Sequence, residues 1–357
     1  MKILLRFLAS LLFVAACWAA PMQDAVGYAD AIAKINDAHA KQPGKSTEAD
    51  LAKMLPASAK SALQRLLASK PTPDLGPALL RAGEAALDLD QMTDFEAIRK
   101  QLLAVAPDAA AKLGNAVSRS RFIVRGIGAF EAGWLENFAD VFDGILAGYD
   151  EVFGFKEFSK IPGKKLRVRV HLEAAITAPP HFGPEFPWHS EIDFPVADGA
   201  KFSSPTEKGQ MLFYGLCHEL GHVIAMWGDL KTMEDKHAWA HYTGVVLVEH
   251  LAEKAGEKPW MATLRDVRWR SLKLERENAE NKVPPSTATV GGVMSLLMAL
   301  HDAVGPKTMG AAINRLDEQN RNRRVNHVRY YSFADFRKAL EEVAPNKKAQ
   351  IAKAFGK

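Results

Sequence analysis

Cysteine is scarce in this chain, since only Cys17 and Cys217 occur among its 357 residues. Two cysteines cannot form a disulfide framework. Charge of one sign is not in excess either, because 46 basic and 42 acidic residues leave a formal net charge of +4. A net charge this small does not favour nucleic acid as a partner. The apolar fraction of 48% and the charged fraction of 25% exclude a mostly disordered or collagen-like chain.

Long apolar runs are also missing, and none reaches the roughly 20 residues that a membrane-spanning helix needs. The first residues instead have the pattern of a secretory signal, with Lys2 and Arg6 near the start of a short apolar run that continues to Ala16. We therefore expect an exported protein whose signal peptide covers residues 1–19.

Two cleavage sites compete at the end of this signal. Small side chains at Cys17 and Ala19 predict cleavage after Ala19. The run Val14-Ala15-Ala16-Cys17 also resembles a bacterial lipobox, which predicts cleavage before Cys17 and lipid on its sulfur. The protein is thus expected in the periplasm, outside the cell, or anchored to the bacterial envelope, with membrane contact only through a lipid at Cys17.

The rest of the chain divides by composition into two predicted domains. Residues 20–115 are dominated by Ala and Leu and poor in strand formers, which predicts an all-helical accessory domain. Residues 116–357 begin with strand patterns at 121–124, 166–172 and 192–196, and helices are predicted from Gln210 onward. Strands that precede the helices favour an α+β fold with a small mixed sheet and a mostly helical C-terminal part.

Two further elements of this second domain are predicted from side-chain spacing. Aromatic and apolar residues three and four apart predict an amphipathic helix over 127–155. Pro195 cannot donate a backbone hydrogen bond, so the strand over 192–196 is expected to lie at a sheet edge or to end there.

The motif that indicates chemistry is Cys217-His218-Glu219-Leu220-Gly221-His222. His218 and His222 are four apart in an apolar helical segment, so both imidazoles leave one helix face and can bind one Zn²⁺. Glu219 projects beside them, where it can accept a proton from a water that the metal activates. Burying such groups without partners would cost several kcal/mol, which favours a metal over a pair of core histidines.

A peptidase-type zinc site needs a third protein ligand, and the candidates follow in residues 234–242. His237 and His241 share a face of the predicted helix, and Asp235 precedes them. Alternatively, Asp235 belongs to the first helical turn, where it favours the helix dipole. The residues themselves do not choose among these three.

Together, the motif and its separation from Trp239-Ala240-His241-Tyr242 resemble the gluzincin metallopeptidases, the thermolysin and aminopeptidase-N-like group. The resemblance implies a zincin-like catalytic domain over residues 116–357 and His241 as third ligand, where the family normally has Glu. It also implies hydrolysis of peptides or proteins with Glu219 as general base.

The resemblance further implies an oxyanion partner or supporting residue, for which Tyr242, Tyr330, Tyr331 and His327 are candidates. The Gly-x-Met-Glu-Asn motif of the aminopeptidases is absent, so endopeptidase activity is slightly favoured. An extended substrate is expected to pair with the edge at 192–196. The alternative is a non-catalytic zinc-binding envelope protein on a peptidase-like scaffold.

Overall fold

The computed structural model describes residues 2–41, 46–128, 130–155, 158, 163–173, 181–186, 189–197, 207–225, 233–254, 285, 290–325 and 328–356. The chain is mostly helical with a small mixed sheet, an α+β fold. It divides into two compact units, the first Met1–Phe130 with Pro162–Lys165 and the second Glu131–Ile161 with Leu166–Lys357.

The elements of the first unit are one long helix, several shorter helices and one hairpin. They are α1 Lys2–Lys41, α2 Glu48–Lys53, α3 Ala57–Ala68, a 3-10 turn Pro73–Leu75, α4 Gly76–Asp88, α5 Met92–Val105, α6 Pro107–Leu113, β1 Asn115–Ser118 and β2 Phe122–Ile127. The predicted signal residues form the first part of α1. Within the part of the chain that the structure describes, no helix is both long and apolar enough to cross a bilayer.

The core of the first unit consists of small and branched apolar side chains from its helices, with Phe95, Ile98 and Leu102 of α5 fully buried. Ala-rich and Leu-rich helices pack closely because their side chains are compact. Ile123 of β2 belongs to this core and Ala116 of β1 packs against it. The hairpin therefore lies with the helical unit, and the division falls after Phe130, whereas composition changes near residue 116.

The second unit contains the remaining elements. They are α7 Trp134–Phe153, β3 Leu166–Glu173, β4 His181–Phe186, β5 His189–Ala197, α8 Glu207–Ile224, α9 Met233–Glu253, α10 Val290–Val304, α11 Pro306–Glu318, β6 Arg323–Val325, β7 Val328–Tyr330, α12 Phe333–Val343, a 3-10 turn Pro345–Lys347 and α13 Lys348–Ala354.

Helix α7 is shorter than the predicted 127–155. Gly133 before it and Gly154 after it have φ of +78° and +68°, values in the left-handed region that favours glycine, and they bound the helix. Its apolar stripe is buried as predicted, with Phe138, Phe142 and Tyr149 fully inaccessible to solvent.

The three strands of the second unit form a mixed sheet in the order β3-β5-β4. β3 runs parallel to β5, and β4 runs antiparallel to it. Leu166, Val168 and Val170 of β3 are buried, as their alternation predicts.

The expectation of an edge strand at 192–196 is wrong for its first part, because β4 pairs with β5 from His189 to Asp193. Beyond Asp193, the described residues of β4 supply no partner, and Pro195 is paired with His171 of β3. Pro195, which has no N–H, therefore lies beyond the part of β5 that pairs with the described residues of β4. An extended substrate cannot pair with β5 at Glu191–Asp193, where β4 already lies.

The expectation of helices alone after Gln210 is also wrong. β6 and β7 form an antiparallel hairpin in which Arg323 pairs with Tyr330. Asp317 of α11 accepts hydrogen bonds from the Tyr331 hydroxyl at 2.9 Å and from the buried Arg329 at 2.6 Å. These bonds attach the end of the hairpin to the helix. Strands of three residues are too short to show the period of two in the sequence.

Candidate metal centre

Helix α8 carries the His-Glu-x-x-His motif and is held by its apolar face. Leu216, Cys217 and Leu220 are fully buried, which fixes the rotation of the helix about its axis. His218 and His222 leave the same face, as the four-residue spacing predicts, and their ring centroids are 4.9 Å apart. His222 is buried and His218 is half-buried, so the pair lies at the boundary between core and solvent.

Helix α9 packs antiparallel against α8, and glycine sets how closely the two approach. A β-carbon built on Gly221 would come within 2.6 Å of the Ala240 Cα, and one on Gly244 within 3.3 Å of the His218 backbone nitrogen. Real side chains do not tolerate the first of these distances. The two helices therefore touch backbone to backbone, and this contact fixes which residues of α9 face the motif.

Tyr149 of α7 adds a polar attachment to the same helix pair. Its hydroxyl donates to the Cys217 carbonyl at 2.6 Å and lies 3.2 Å from Thr243 Oγ1 of α9. Burial raises the pKa of Tyr149 well above its usual value, with a contribution from Cys217 and smaller ones from other acidic groups, Glu219 among them. A neutral phenol is therefore maintained as a hydrogen-bond donor inside the helix packing.

His237 of α9 is the residue that the structure brings to the histidine pair. Its Nδ1 lies 3.0 Å from Nε2 of His218 and 3.1 Å from Nε2 of His222. The three ligand atoms lie within 4.8 Å of one another, an arrangement that could hold a metal ion. His237 is exposed, so the group has one side open to solvent.

His241, the third ligand that the resemblance implies, is not part of this group. It lies one helical turn beyond His237, and its Nδ1 shares a hydrogen bond with the Tyr214 hydroxyl of α8. The two rings are nearly perpendicular, with centroids 6.0 Å apart. His237, which the spacing left open as an alternative, takes the place beside His218 and His222. Asp235 lies within α9, but its side chain is outside the described residues.

Tyr214 is a residue of this region that sequence reasoning missed. It lies four residues before His218, so it continues the row that His218 and His222 begin. Its side chain is 8% exposed and its ring centroid is 5.9 Å from that of His218. The four-residue spacing was the signal available in the sequence.

Glu219 is 5% exposed, so this residue is largely withdrawn from bulk water, and it directly follows His218 in the chain. Burial also raises the pKa of the adjacent Cys217 thiol well above its usual value, which keeps the thiol neutral. A neutral buried thiol packs as a small apolar group. The chemistry of this helix therefore lies with the two histidines and the carboxylate.

The chain matches no protein-family model, and neither a curated protein nor a solved structure matches it. The similarity to gluzincins thus depends on the motif and its spacing alone.

The predicted oxyanion candidates are dispersed. The Tyr242 hydroxyl lies 3.0 Å from His301 Nδ1 and donates to Met309 Sδ at 3.3 Å in a fully buried position. Tyr331 is buried and donates to Asp317, and Tyr330 lies on β7. His327 is outside the described residues. Tyr242 and Tyr331 therefore have structural hydrogen bonds of their own, in α10–α11 and at the C-terminal hairpin.

Proposed function

We propose that this chain is an exported zinc-dependent metallopeptidase in which His218, His222 and His237 hold the metal and Glu219 is the general base. The observation that carries the proposal is the approach of one His237 nitrogen to both motif histidines, at 3.0 and 3.1 Å. Three imidazole nitrogens from two helices meet at one point, and that point is accessible from solvent through His237.

The donor set suits zinc. Two nitrogens bound to one tetrahedral zinc at about 2.0–2.1 Å would be separated by about 3.4 Å, close to the two nitrogen distances in the group. Imidazole is a favoured ligand of zinc, and catalytic zinc sites use three protein ligands with one open position. Three neutral histidines leave the full charge of the metal in place, which makes it a stronger Lewis acid than a site with one carboxylate ligand.

The side chains of the proposed site have two roles, metal binding and proton transfer. Zinc in this group would supply Lewis acidity and would lower the pKa of water towards about 7. Glu219, buried beside the ligands, accepts the proton of the attacking water and returns it to the leaving amine of the substrate. The exposed side at His237 admits the substrate, and the buried side at His222 excludes water from behind the group.

Peptides or proteins outside the cytoplasm are the proposed substrates. The signal-like start of the chain supports export. The missing Gly-x-Met-Glu-Asn motif favours an endopeptidase over an aminopeptidase. Cleavage of an unstructured protein is therefore the first assay to use, because it needs no particular terminal residue.

The test combines zinc content with hydrolysis in the purified mature protein. We expect about one zinc per chain and cleavage of unfolded casein. Glu219→Gln should retain the zinc while the rate falls by about 10²–10⁴-fold, the range for removing a general base. Glu253→Gln, the same change at an exposed position of α9, is the control and should alter neither quantity.

Each other outcome has a definite meaning. A chain without zinc contradicts the proposal. Stoichiometric zinc without cleavage of any peptide pool would leave a non-catalytic zinc-binding protein, and unchanged turnover in Glu219→Gln would remove Glu219 as the base.

A further inference from the structure

Two other polar side chains lie in the same helix interface as the histidine group. Tyr214 of α8 and His241 of α9 share a hydrogen bond between the hydroxyl and Nδ1. We call them the Tyr214–His241 pair. On α8, Tyr214 is four residues from His218, and on α9, His241 is four residues from His237. The pair therefore lies one helical turn along both helices from the two histidines that approach each other at 3.0 Å.

We propose that the Tyr214–His241 pair positions His237 as the third metal ligand. The inference rests on the proposed metal site. The pair connects α8 and α9 through side chains, so it fixes the rotation of α9 about its own axis. Rotation of α9 is the motion that would carry His237 away from His218 and His222, since His237 and His241 leave the same face of α9.

His237 needs such support more than its two partners do. His222 is buried and His218 half-buried on a helix fixed by its apolar core, whereas His237 is exposed and can take other side-chain rotamers. The contact of Gly221 with Ala240 sets the distance between the helices. The hydrogen bond of the Tyr214–His241 pair lies one turn away and is directional. It therefore restrains the rotation of α9, which apolar contact alone does not do.

The pair also explains why a phenol and an imidazole lie in a helix interface whose closest contacts are made by glycine, alanine and threonine. The Tyr214 side chain is 8% exposed and His241 is half-buried. Residues that orient metal ligands without binding the metal are a regular part of such sites, and their loss weakens metal binding by about 10–100-fold. Tyr214 and His241 would act on His237 in this way through the orientation of α9, one helical turn away.

The experiment measures zinc affinity by competition with a chromophoric chelator in the full mature chain, so the result is independent of any hydrolysis. Tyr214→Phe removes only the hydroxyl. We expect it to raise the zinc Kd by roughly tenfold. In a His237→Ala background, where two histidines bind zinc more weakly, the same substitution should leave the Kd unchanged, because the residue through which Tyr214 acts is gone.

Tyr331→Phe is the matched control. It removes another buried hydroxyl, the one that donates to Asp317, and should lower the unfolding temperature without changing the zinc Kd. Tyr214→Phe with an unchanged Kd would overturn the inference. An equal loss of zinc affinity in the wild-type and His237→Ala backgrounds would also overturn the inference. Tyr214 would then act through general stability or through His218, whose ring centroid lies 5.9 Å from its own.

Failure of the inference can be told apart from failure of the proposed function. A wild-type chain that binds no zinc contradicts both. A wild-type chain that binds zinc and cleaves nothing contradicts the peptidase proposal alone, and the two affinity comparisons still decide the role of the pair.

Discussion

Gly221 of α8 lies so close to Ala240 of α9 that a β-carbon on Gly221 would come within 2.6 Å of the Ala240 Cα. The Ala240 Cα is backbone, which cannot move aside as a side chain does, and the Thr243 hydroxyl lies closer still. Gly221→Ala should therefore separate the two helices and withdraw His237 from the motif. We expect a loss of about 1–3 kcal/mol in the free energy of unfolding, as for other overpacked cores, and weaker zinc binding. Urea unfolding and chelator competition measure the two effects.

Gly27→Ala is the control for this substitution. Gly27 lies in α1, is exposed, and has no atom within 4 Å of the position a β-carbon would take. Alanine is the better helix former by about 1 kcal/mol, so stability should stay the same or rise. Equal unfolding midpoints for Gly221→Ala and the wild type would refute the close-packing argument.

The choice between His237 and His241 as third ligand gives a second prediction. His237→Ala should reduce bound zinc well below one per chain at micromolar metal. The substitution removes the Nδ1 atom that lies 3.0 Å from Nε2 of His218 and 3.1 Å from Nε2 of His222. His241→Ala should retain stoichiometric zinc with a Kd raised by roughly tenfold, as for an outer-shell residue. Metal analysis after gel filtration gives both values. Loss of zinc with His241→Ala and retention with His237→Ala would identify His241 as the third ligand.

Cys217 provides a third prediction, as a probe of helix α8. Its side chain is fully buried and its carbonyl accepts the Tyr149 hydrogen bond at 2.6 Å. Iodoacetamide should label it slowly in the native mature chain and rapidly in denaturant, as followed by peptide mass spectrometry. Ser61→Cys, at an exposed position of α3, should label rapidly in both. Equal native rates for the two thiols would mean that α8 is not packed as described.

The sequence predicts the two motif histidines and Glu219 but does not predict which histidine is third, and this difference has a physical reason. His218, Glu219 and His222 lie within two turns of one helix, so local geometry alone places the imidazoles on one face. The third histidine depends on how α9 is aligned along α8. That alignment comes from the contacts of Gly221 with Ala240 and of Gly244 with His218, which join residues far apart in the sequence. Spacing on α9 alone does not distinguish His237 from His241.

The fold shows the same contrast between local and non-local information. The alternation in β3 and the apolar stripe of α7 predicted those elements, since both are properties of a single segment. The position of β5 between two strands does not follow from Pro195, because a residue without an N–H constrains pairing only at its own position, and the described part of β4 pairs with β5 from His189 to Asp193. The hairpin of β6 and β7 was missed for a similar reason, since its strands are three residues each.

In the proposed metal site, the gradient of exposure across the three histidines would set the direction from which an ion enters. His222 is buried, His218 is half-buried and His237 is exposed, so an ion would arrive from the His237 side and meet the exposed imidazole first. The two motif histidines are already oriented when the helices have packed. Because His237 already lies 3.0 and 3.1 Å from the two motif histidines, zinc binding at the proposed site would require no opening of the helix pair, and the apoprotein should take up zinc without refolding.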